Sequence, residues 1–143
     1  MFDIYPGFLH TQERVSGKEE TAIPQQVLIA KELAELLGAI AHPHRLMILV
    51  DLQKGEMDVN SLQRLLGISH SSVSQHLAIL RTHHLVRERR QGRHVYYALS
   101  NPAFARWLLQ GLDFLEGSLA LQVDLREAVQ IARREWQRAG QTD

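Results

Sequence analysis

Near the middle of the chain, the end of one predicted helix is followed at once by the start of another. This pair of helix boundaries constrains the fold more than any other feature of the sequence. Asp58 is a candidate N-cap, because its carboxylate can accept hydrogen bonds from the free N–H groups of a following helix. Gly67 ends that short helix, since glycine adopts the left-handed conformation without a steric penalty. Ser69 then caps a second helix. The apolar positions of the two helices are Leu62, Leu65, Leu66, Val73, Leu77, Ile79 and Leu80. This order of a helix, a glycine turn and a serine-capped helix predicts a helix-turn-helix.

Two further helices are predicted on the amino-terminal side of this motif. Apolar residues recur every three or four positions after Pro24, which indicates a helix with one apolar stripe. Pro43 opens the next helix, and Gly55 stops it. Residues 1–20 lack periodicity and are expected to form a flexible arm, or an arm whose aromatic residues dock on the body or on a partner subunit. The domain itself is then predicted to span residues 21–143.

On the carboxyl-terminal side the pattern changes to strands and back to helix. Residues 85–90 and 93–99 favour extended structure around a tight Gln-Gly turn. Asn101 caps another helix, and both Gly117 and Asp124 are candidate breaks within the apolar pattern that follows. We therefore predict a mainly α winged helix-turn-helix with five or six helices and a two-stranded wing.

The formal net charge of 0, from 16 basic and 16 acidic residues, hides an uneven distribution. Residues 61–97 hold six arginines against Glu88 as the one acid, a net charge of +5, so the rest of the chain carries −5. The six are Arg64, Arg81, Arg87, Arg89, Arg90 and Arg93. Because DNA affinity comes largely from basic side chains on phosphates, the segment predicts a contact with double-stranded DNA.

The second helix of the motif, about residues 70–82, has a short polar face that suits a DNA groove. Small side chains that donate and accept hydrogen bonds can reach base edges, and arginines in the hairpin at 86–95 can clamp phosphates or enter the minor groove. The predicted DNA-binding residues are His70, Ser71, Ser72, Ser74, Gln75, His76, Arg87, Arg89, Arg90 and Arg93. The alternative is a solvated, serine-rich helix face beside a charged hairpin.

Residues from about 33 to 99 resemble the bacterial ArsR/SmtB winged-helix repressors. The matching segments are residues 41–49 (AHPHRLMIL), 65–69 (LLGIS), 72–80 (SVSQHLAIL) and 92–99 (GRHVYYAL). The resemblance implies a homodimer formed by the first and last helices. It also implies that two recognition helices read an inverted-repeat operator, usually for repression.

The apolar pattern by itself also suggests a homodimer. A small winged helix cannot bury both outer apolar stripes internally, so a partner subunit is expected to cover them. The predicted interface residues are Leu33, Leu37, Ile40, Phe104, Trp107, Leu108 and Leu115.

No metal ligand or cofactor is predicted. The chain has no cysteine, and Asp58 and Asn60 stand where arsenic-sensing and heavy-metal-sensing members of the resembled family carry a cysteine pair. The positions matching the family's zinc ligands are Asn101, Ala103, Phe114 and Gly117. The eight histidines lack ligand spacing along a helix, so capping, packing or DNA contact is expected of each. A metal site across the dimer, or one that uses His10 of the arm, stays open.

The predicted function is a sequence-specific DNA-binding regulator, most simply a repressor. The alternatives are a sensor of an unidentified effector or metal, with a cysteine-free site at the dimer interface, and a winged helix used for protein contact. No motif for an enzyme is found. No apolar run approaches the ~20 residues of a membrane helix, and the amino terminus lacks a signal-peptide pattern, so we expect a cytoplasmic protein without a membrane partner.

Overall fold

Six α-helices and three short strands make up the part of the chain that the computed structural model describes, residues 24–118 and 123–139. The predicted arm at residues 1–20 lies outside it. In chain order the elements are α1 (Gln25–Ile40), α2 (Pro43–Asp51), a 3₁₀ turn (Leu52–Lys54), β1 (Met57–Asp58), α3 (Val59–Leu66), α4 (His70–Thr82), β2 (Val86–Gln91), β3 (His94–Leu99), α5 (Ala103–Ser118) and α6 (Val123–Ala139). The winged helix-turn-helix predicted from the sequence is confirmed.

Local capping chemistry sets most of the helix boundaries. His42 caps α2 by accepting a hydrogen bond from the backbone N–H of His44, and Pro43 occupies the first helical position. Asn101 accepts from the N–H of Ala103 at the start of α5 over 2.9 Å. These side chains satisfy N–H groups that have no partner within the helix.

The sheet has one more strand than predicted. β2 and β3 form the antiparallel hairpin, here called the wing, in which Val86 faces Leu99 and Gln91 faces His94. β1 adds two residues to the other edge of β3, so the strand order is β1-β3-β2. A two-residue strand has no alternating pattern of its own, which is why the sequence did not reveal it.

The core lies where α2, α3 and α4 meet the base of the wing. Its fully buried side chains are Ile48, Leu49, Leu62, Val73, Leu77 and Leu80. Three of them, Val73, Leu77 and Leu80, are apolar positions of α4 identified in the sequence, so α4 is anchored along one side. Burying such a set is the main stabilising contribution in a domain of this size.

The two carboxyl-terminal helices pack against each other. Arg133 of α6 pairs with Asp113 and Glu116 of α5, at 2.6 and 3.1 Å. These hydrogen bonds, with Asp113 first, raise the pKa of Arg133. None of the described helices is by itself long and apolar enough to cross a membrane; α1 satisfies that test only together with Pro43–Lys54, and the pair is bent by 86°.

Candidate nucleic-acid interface

The turn between α3 and α4 is built from the predicted capping residues. Asp58 accepts a hydrogen bond from the backbone N–H of Ser61 over 2.8 Å. Hydrogen bonding by the side chain of Ser61, followed by that of this N–H, lowers the pKa of Asp58. Gly67 has φ 65°, the left-handed conformation that ends α3. Ser69 accepts from the backbone N–H of Ser72 over 3.1 Å at the start of α4. Together these contacts set the angle at which α4 leaves the turn.

The side of α4 opposite the core is polar, and we call it the polar face. It consists of His70, Ser71, Ser72, Ser74 and Gln75. His70, Ser71 and Gln75 are exposed, whereas Ser72 and Ser74 are half-buried. The hydroxyl of Ser72 lies 2.7 Å from that of Ser69, so it belongs to the helix cap. The exposed members are the side chains that can reach a base edge.

The sixth predicted residue of α4, His76, is placed differently. It is half-buried, and its ring stands 4.5 Å from that of His42 and 5.7 Å from that of His44, between centroids. Burial, followed by the positive charges of neighbouring groups, lowers the pKa of His76. We call His42, His44 and His76 the histidine cluster. Their possible ligand atoms all lie within 4.8 Å of one another.

The sequence argument missed this cluster because it compared histidines only along one helix. His42 precedes α2, His44 lies in its first turn, and His76 comes from α4. Packing of α2 against α4 brings them together. No spacing rule within a single helix could have revealed it.

The predicted wing arginines differ in whether they pair with an acidic residue. Arg89 forms a two-pronged pair with Glu56, with Nε and Nη2 at 3.0 and 2.7 Å from Oε2, and its guanidinium lies 5.1 Å from the ring centre of Tyr96. The hydrogen bond from Arg89 lowers the pKa of Glu56, and the same bond raises that of Arg89. Glu56 was not among the predicted site residues.

The other three predicted wing arginines are exposed. Within residues 24–118 and 123–139, no ion pair or side-chain hydrogen bond is found for Arg87, Arg90 or Arg93. They are therefore available to phosphate groups without breaking an existing contact. Exposed charges of this kind are held in place only weakly, so they can adjust to a partner.

One ion pair ties the wing to the helix-turn-helix. Arg81, in the last turn of α4, donates to Glu88 of β2 over 2.8 Å. The hydroxyl of Tyr97 on β3 lies 3.5 Å from the same carboxylate. Burial, followed by the charge of Glu88, raises the pKa of Tyr97. Arg81 and Glu88 thus add a polar contact between the wing and the end of α4.

Another set of exposed side chains is apolar and lies on α1, α5 and α6. We call it the apolar face. Its exposed members are Val27, Leu28, Ile29, Leu33, Leu37, Trp107, Phe114, Leu115, Leu125 and Ile131. Of the predicted interface residues, four are exposed here: Leu33, Leu37, Trp107 and Leu115. Phe114, which is 80% exposed, was not among them, although it lies seven residues after Trp107 and so continues its stripe.

Three predicted interface residues are covered by the chain itself. Ile40 and Leu108 are buried in the core, and Phe104 is half-buried against the core and the ring of Trp107. They follow the same helical period as their exposed neighbours. Periodicity gives the side of a helix that is apolar, but not which part of that side its own chain covers.

The chain also matches known proteins. The family model described as "Bacterial regulatory protein, arsR family" matches residues 42–88. The nodulation protein NolR of Rhizobium meliloti is 41% identical over 85 residues, which are 59% of this chain and 70% of that protein. A transcriptional repressor SmtB homolog of Synechocystis sp. is 42% identical over 89 residues, 62% of this chain and 67% of that protein.

A solved structure also relates the chain to ArsR-family regulators. The homodimeric winged helix-turn-helix DNA-binding domain of a Mycobacterium bovis protein, described as a possible ArsR-family transcriptional regulator, superimposes with a TM-score of 0.58. It is 26% identical and covers 71% of this chain and 92% of its own. The helix-turn-helix, the wing and these similarities agree: the chain belongs to the ArsR family of bacterial DNA-binding transcriptional regulators.

Proposed function

We propose that this regulator binds an inverted-repeat operator as a homodimer and represses transcription from it. The observation that carries the proposal is the exposed polar face of α4 beside three wing arginines that are free of ion pairs in the described residues. Polar side chains on a groove-sized helix read base edges, and neighbouring guanidinium groups hold the phosphates.

The residues divide into two roles. Ser71 and Gln75, which are exposed, are assigned to base edges, and the longer Gln75 can form two hydrogen bonds with an adenine. Ser74 is half-buried and stays a predicted DNA contact without an assigned base. The unpaired wing arginines are assigned to the sugar-phosphate backbone or the minor groove. His70 and Ser72, at the amino-terminal end of α4, are assigned to positioning contacts, because a helix N-terminus favours phosphate.

The apolar face supports the dimer. Ten exposed large apolar side chains on three helices form a surface that monomeric domains of this size rarely leave in water. The homodimeric Mycobacterium bovis domain is a precedent within the same fold. A two-fold dimer would present two copies of α4 to two half-sites. We place the protein in the cytoplasm, where bacterial DNA lies.

Selection of duplexes from a random pool by the full chain tests the proposal. The recovered sequences should contain an inverted repeat whose half-sites are separated by about 10 base pairs, one helical turn. With three unpaired wing arginines in each subunit, log affinity should fall against log salt with a slope of about −5. A slope near zero, or no enrichment of any sequence, would contradict DNA binding and favour a winged helix used for protein contact.

A variant then tests the base-reading role. Gln75→Ala should change the preferred base at particular operator positions, by about tenfold or more, while other positions keep theirs. Gln137→Ala, the same substitution at an exposed position of α6, should change none. An equal loss of affinity on every sequence would exclude base reading by Gln75.

A further inference from the structure

The histidine cluster joins the recognition helix to the start of α2. All three rings are half-buried, and their centroids lie 4.5 to 5.7 Å apart. One potential ligand atom from each lies within 4.8 Å of the other two. Three imidazoles, two from the start of α2 and its cap and one from α4, therefore lie close together.

That arrangement has the donor set of a divalent transition-metal site. Imidazole nitrogen suits Zn²⁺, Co²⁺ and Ni²⁺, and three protein ligands with a water in the fourth position is a known coordination for zinc. Tetrahedral Zn–N bonds of about 2.0–2.1 Å place the nitrogens about 3.4 Å apart. The rings must then approach by up to about 1.4 Å, which small rotations about their side-chain bonds can supply.

An unsatisfied nitrogen supports the same interpretation. Nδ1 of His76 is buried and has no hydrogen-bond partner among the described residues. A buried polar atom without a partner is costly, and either a water molecule or a metal ion would satisfy it.

His42 links the site to the local fold. Its Nδ1 accepts the backbone N–H of His44, so in the neutral ring the proton is on Nε2. Ligation by His42 therefore displaces this cap, because a metal on Nδ1 takes the accepting lone pair and a metal on Nε2 moves the ring proton to Nδ1. The neighbouring Arg45 hydrogen-bonds the carbonyl oxygens of Ala39 and Gly38 at the end of α1, which occupies its guanidinium outside the cluster.

The geometry points to a site at His42, His44 and His76 that binds one divalent transition-metal ion, Zn²⁺ or a similar ion, in each chain. It differs from the interface site considered from the sequence, since all three ligands come from one chain. His76 directly follows Gln75, so an ion here would restrain the polar face relative to α2. This coupling, which rests on the proposed function, makes operator affinity depend on the ion.

Metal titration of the full chain tests the site without DNA. Co²⁺ added to the metal-free protein should produce the visible absorption of a tetrahedral complex at one ion per chain, and Zn²⁺ should displace it. His44→Ala and His42→Asn should each weaken Co²⁺ binding about tenfold or more. The asparagine retains a side-chain oxygen that can cap α2, so folding is preserved in that variant.

The control removes histidines outside the cluster. His70→Ala combined with His83→Ala should leave both the stoichiometry and the Co²⁺ affinity unchanged. Circular dichroism of every variant confirms folding. Equal Co²⁺ affinity in the wild type, His44→Ala and His42→Asn, or a tetrahedral spectrum lost only in the control, would overturn the site.

A second measurement tests the coupling. Zn²⁺ should change the affinity of the wild type for its selected operator about fivefold or more, and it should leave His44→Ala unchanged. Stoichiometric Zn²⁺ binding with an unchanged operator affinity would overturn the coupling. Failure of all DNA binding would contradict the proposed function, and the Co²⁺ titration would still decide the metal site.

Discussion

Two regions of the molecule differ in how much apolar surface they expose to water. One is the helix-turn-helix together with its wing, and the other is the apolar face. In the first region α4 buries Val73, Leu77 and Leu80 completely in its own chain and exposes mainly polar and charged side chains, with Ile79, 38% exposed, as the large apolar exception. In the second, α1 buries only Ala39 and Ile40 and leaves large apolar side chains exposed. The first region is complete as a folded unit, whereas the second gains stability by being covered.

The largest expected effect comes from placing a charge on the apolar face. Leu37, the last exposed large apolar residue of α1, is 43% exposed. In the proposed dimer Leu37→Asp would bury an unpaired carboxylate, and dimerisation should weaken about 100-fold or more. Sedimentation at micromolar concentration should show a monomer, and operator affinity should fall with it.

The matched control is Leu65→Asp on α3. Leu65 is 56% exposed but belongs to the helix-turn-helix region, so this change should leave the dimer intact. If the Leu37 variant remained dimeric, or if both variants dissociated equally, the assignment of the apolar face as the interface would be wrong.

A smaller effect separates the arginines within the wing. Arg90→Ala and Arg93→Ala should each lower affinity for any duplex about tenfold, and the salt slope should become less steep by about 2 in a dimer. Arg89→Ala should lower affinity less, because Arg89 must give up Glu56 before it can bind a phosphate. Fluorescence anisotropy on random duplexes at several salt concentrations measures both quantities. Equal losses of duplex affinity in the Arg89, Arg90 and Arg93 variants would show that the ion pair with Glu56 does not restrict Arg89.

The smallest expected effect is on the free energy of unfolding, and it distinguishes the capping residues Asp58 and Asn101. Asp58 caps α3 with an ionisable group, whereas Asn101 caps α5 with a neutral one. Because the pKa of Asp58 is below its ordinary 3.8 in the folded chain, its carboxylate stabilises the fold above that pH and loses this contribution as the pH falls. At neutral pH, Asp58→Asn should cost less than about 1 kcal/mol of unfolding free energy.

Urea unfolding between pH 7 and pH 3 measures this difference. The difference in unfolding free energy between the wild type and Asp58→Asn should become smaller towards the acidic end. Asn101→Ala should lower stability by about 1 kcal/mol at every pH, because neither residue titrates. If the unfolding free energies of Asp58→Asn and the wild type differed by the same amount at every pH, the charge of Asp58 would contribute nothing to stability.

The sequence was most informative where a structure depends on neighbours along the chain. Asp58, Gly67 and Ser69 act on residues no more than three or four positions away, so their roles could be predicted. The inward side of α4 followed from the helical period in the same way. The uneven charge distribution was also visible, since it needs only the positions of the arginines.

Contacts between distant residues could not be predicted from one sequence. Glu56 and Arg89 are 33 residues apart, and nothing in their local patterns pairs them. Ile40 and Leu108 follow the same stripes as Leu37 and Leu115, yet only the first two are buried by their own chain. These outcomes depend on which helices pack together, which periodicity does not specify.

The sequence by itself therefore determined the order of the elements, their caps and the sign of the charge on each region. The tertiary structure alone decided which arginines of the wing are free, which apolar residues stay exposed, and that His42, His44 and His76 meet. The reason is physical: caps and helical periods arise from interactions within one or two turns, whereas ion pairs, burial and ligand clusters arise from the packing of elements that are distant in the chain.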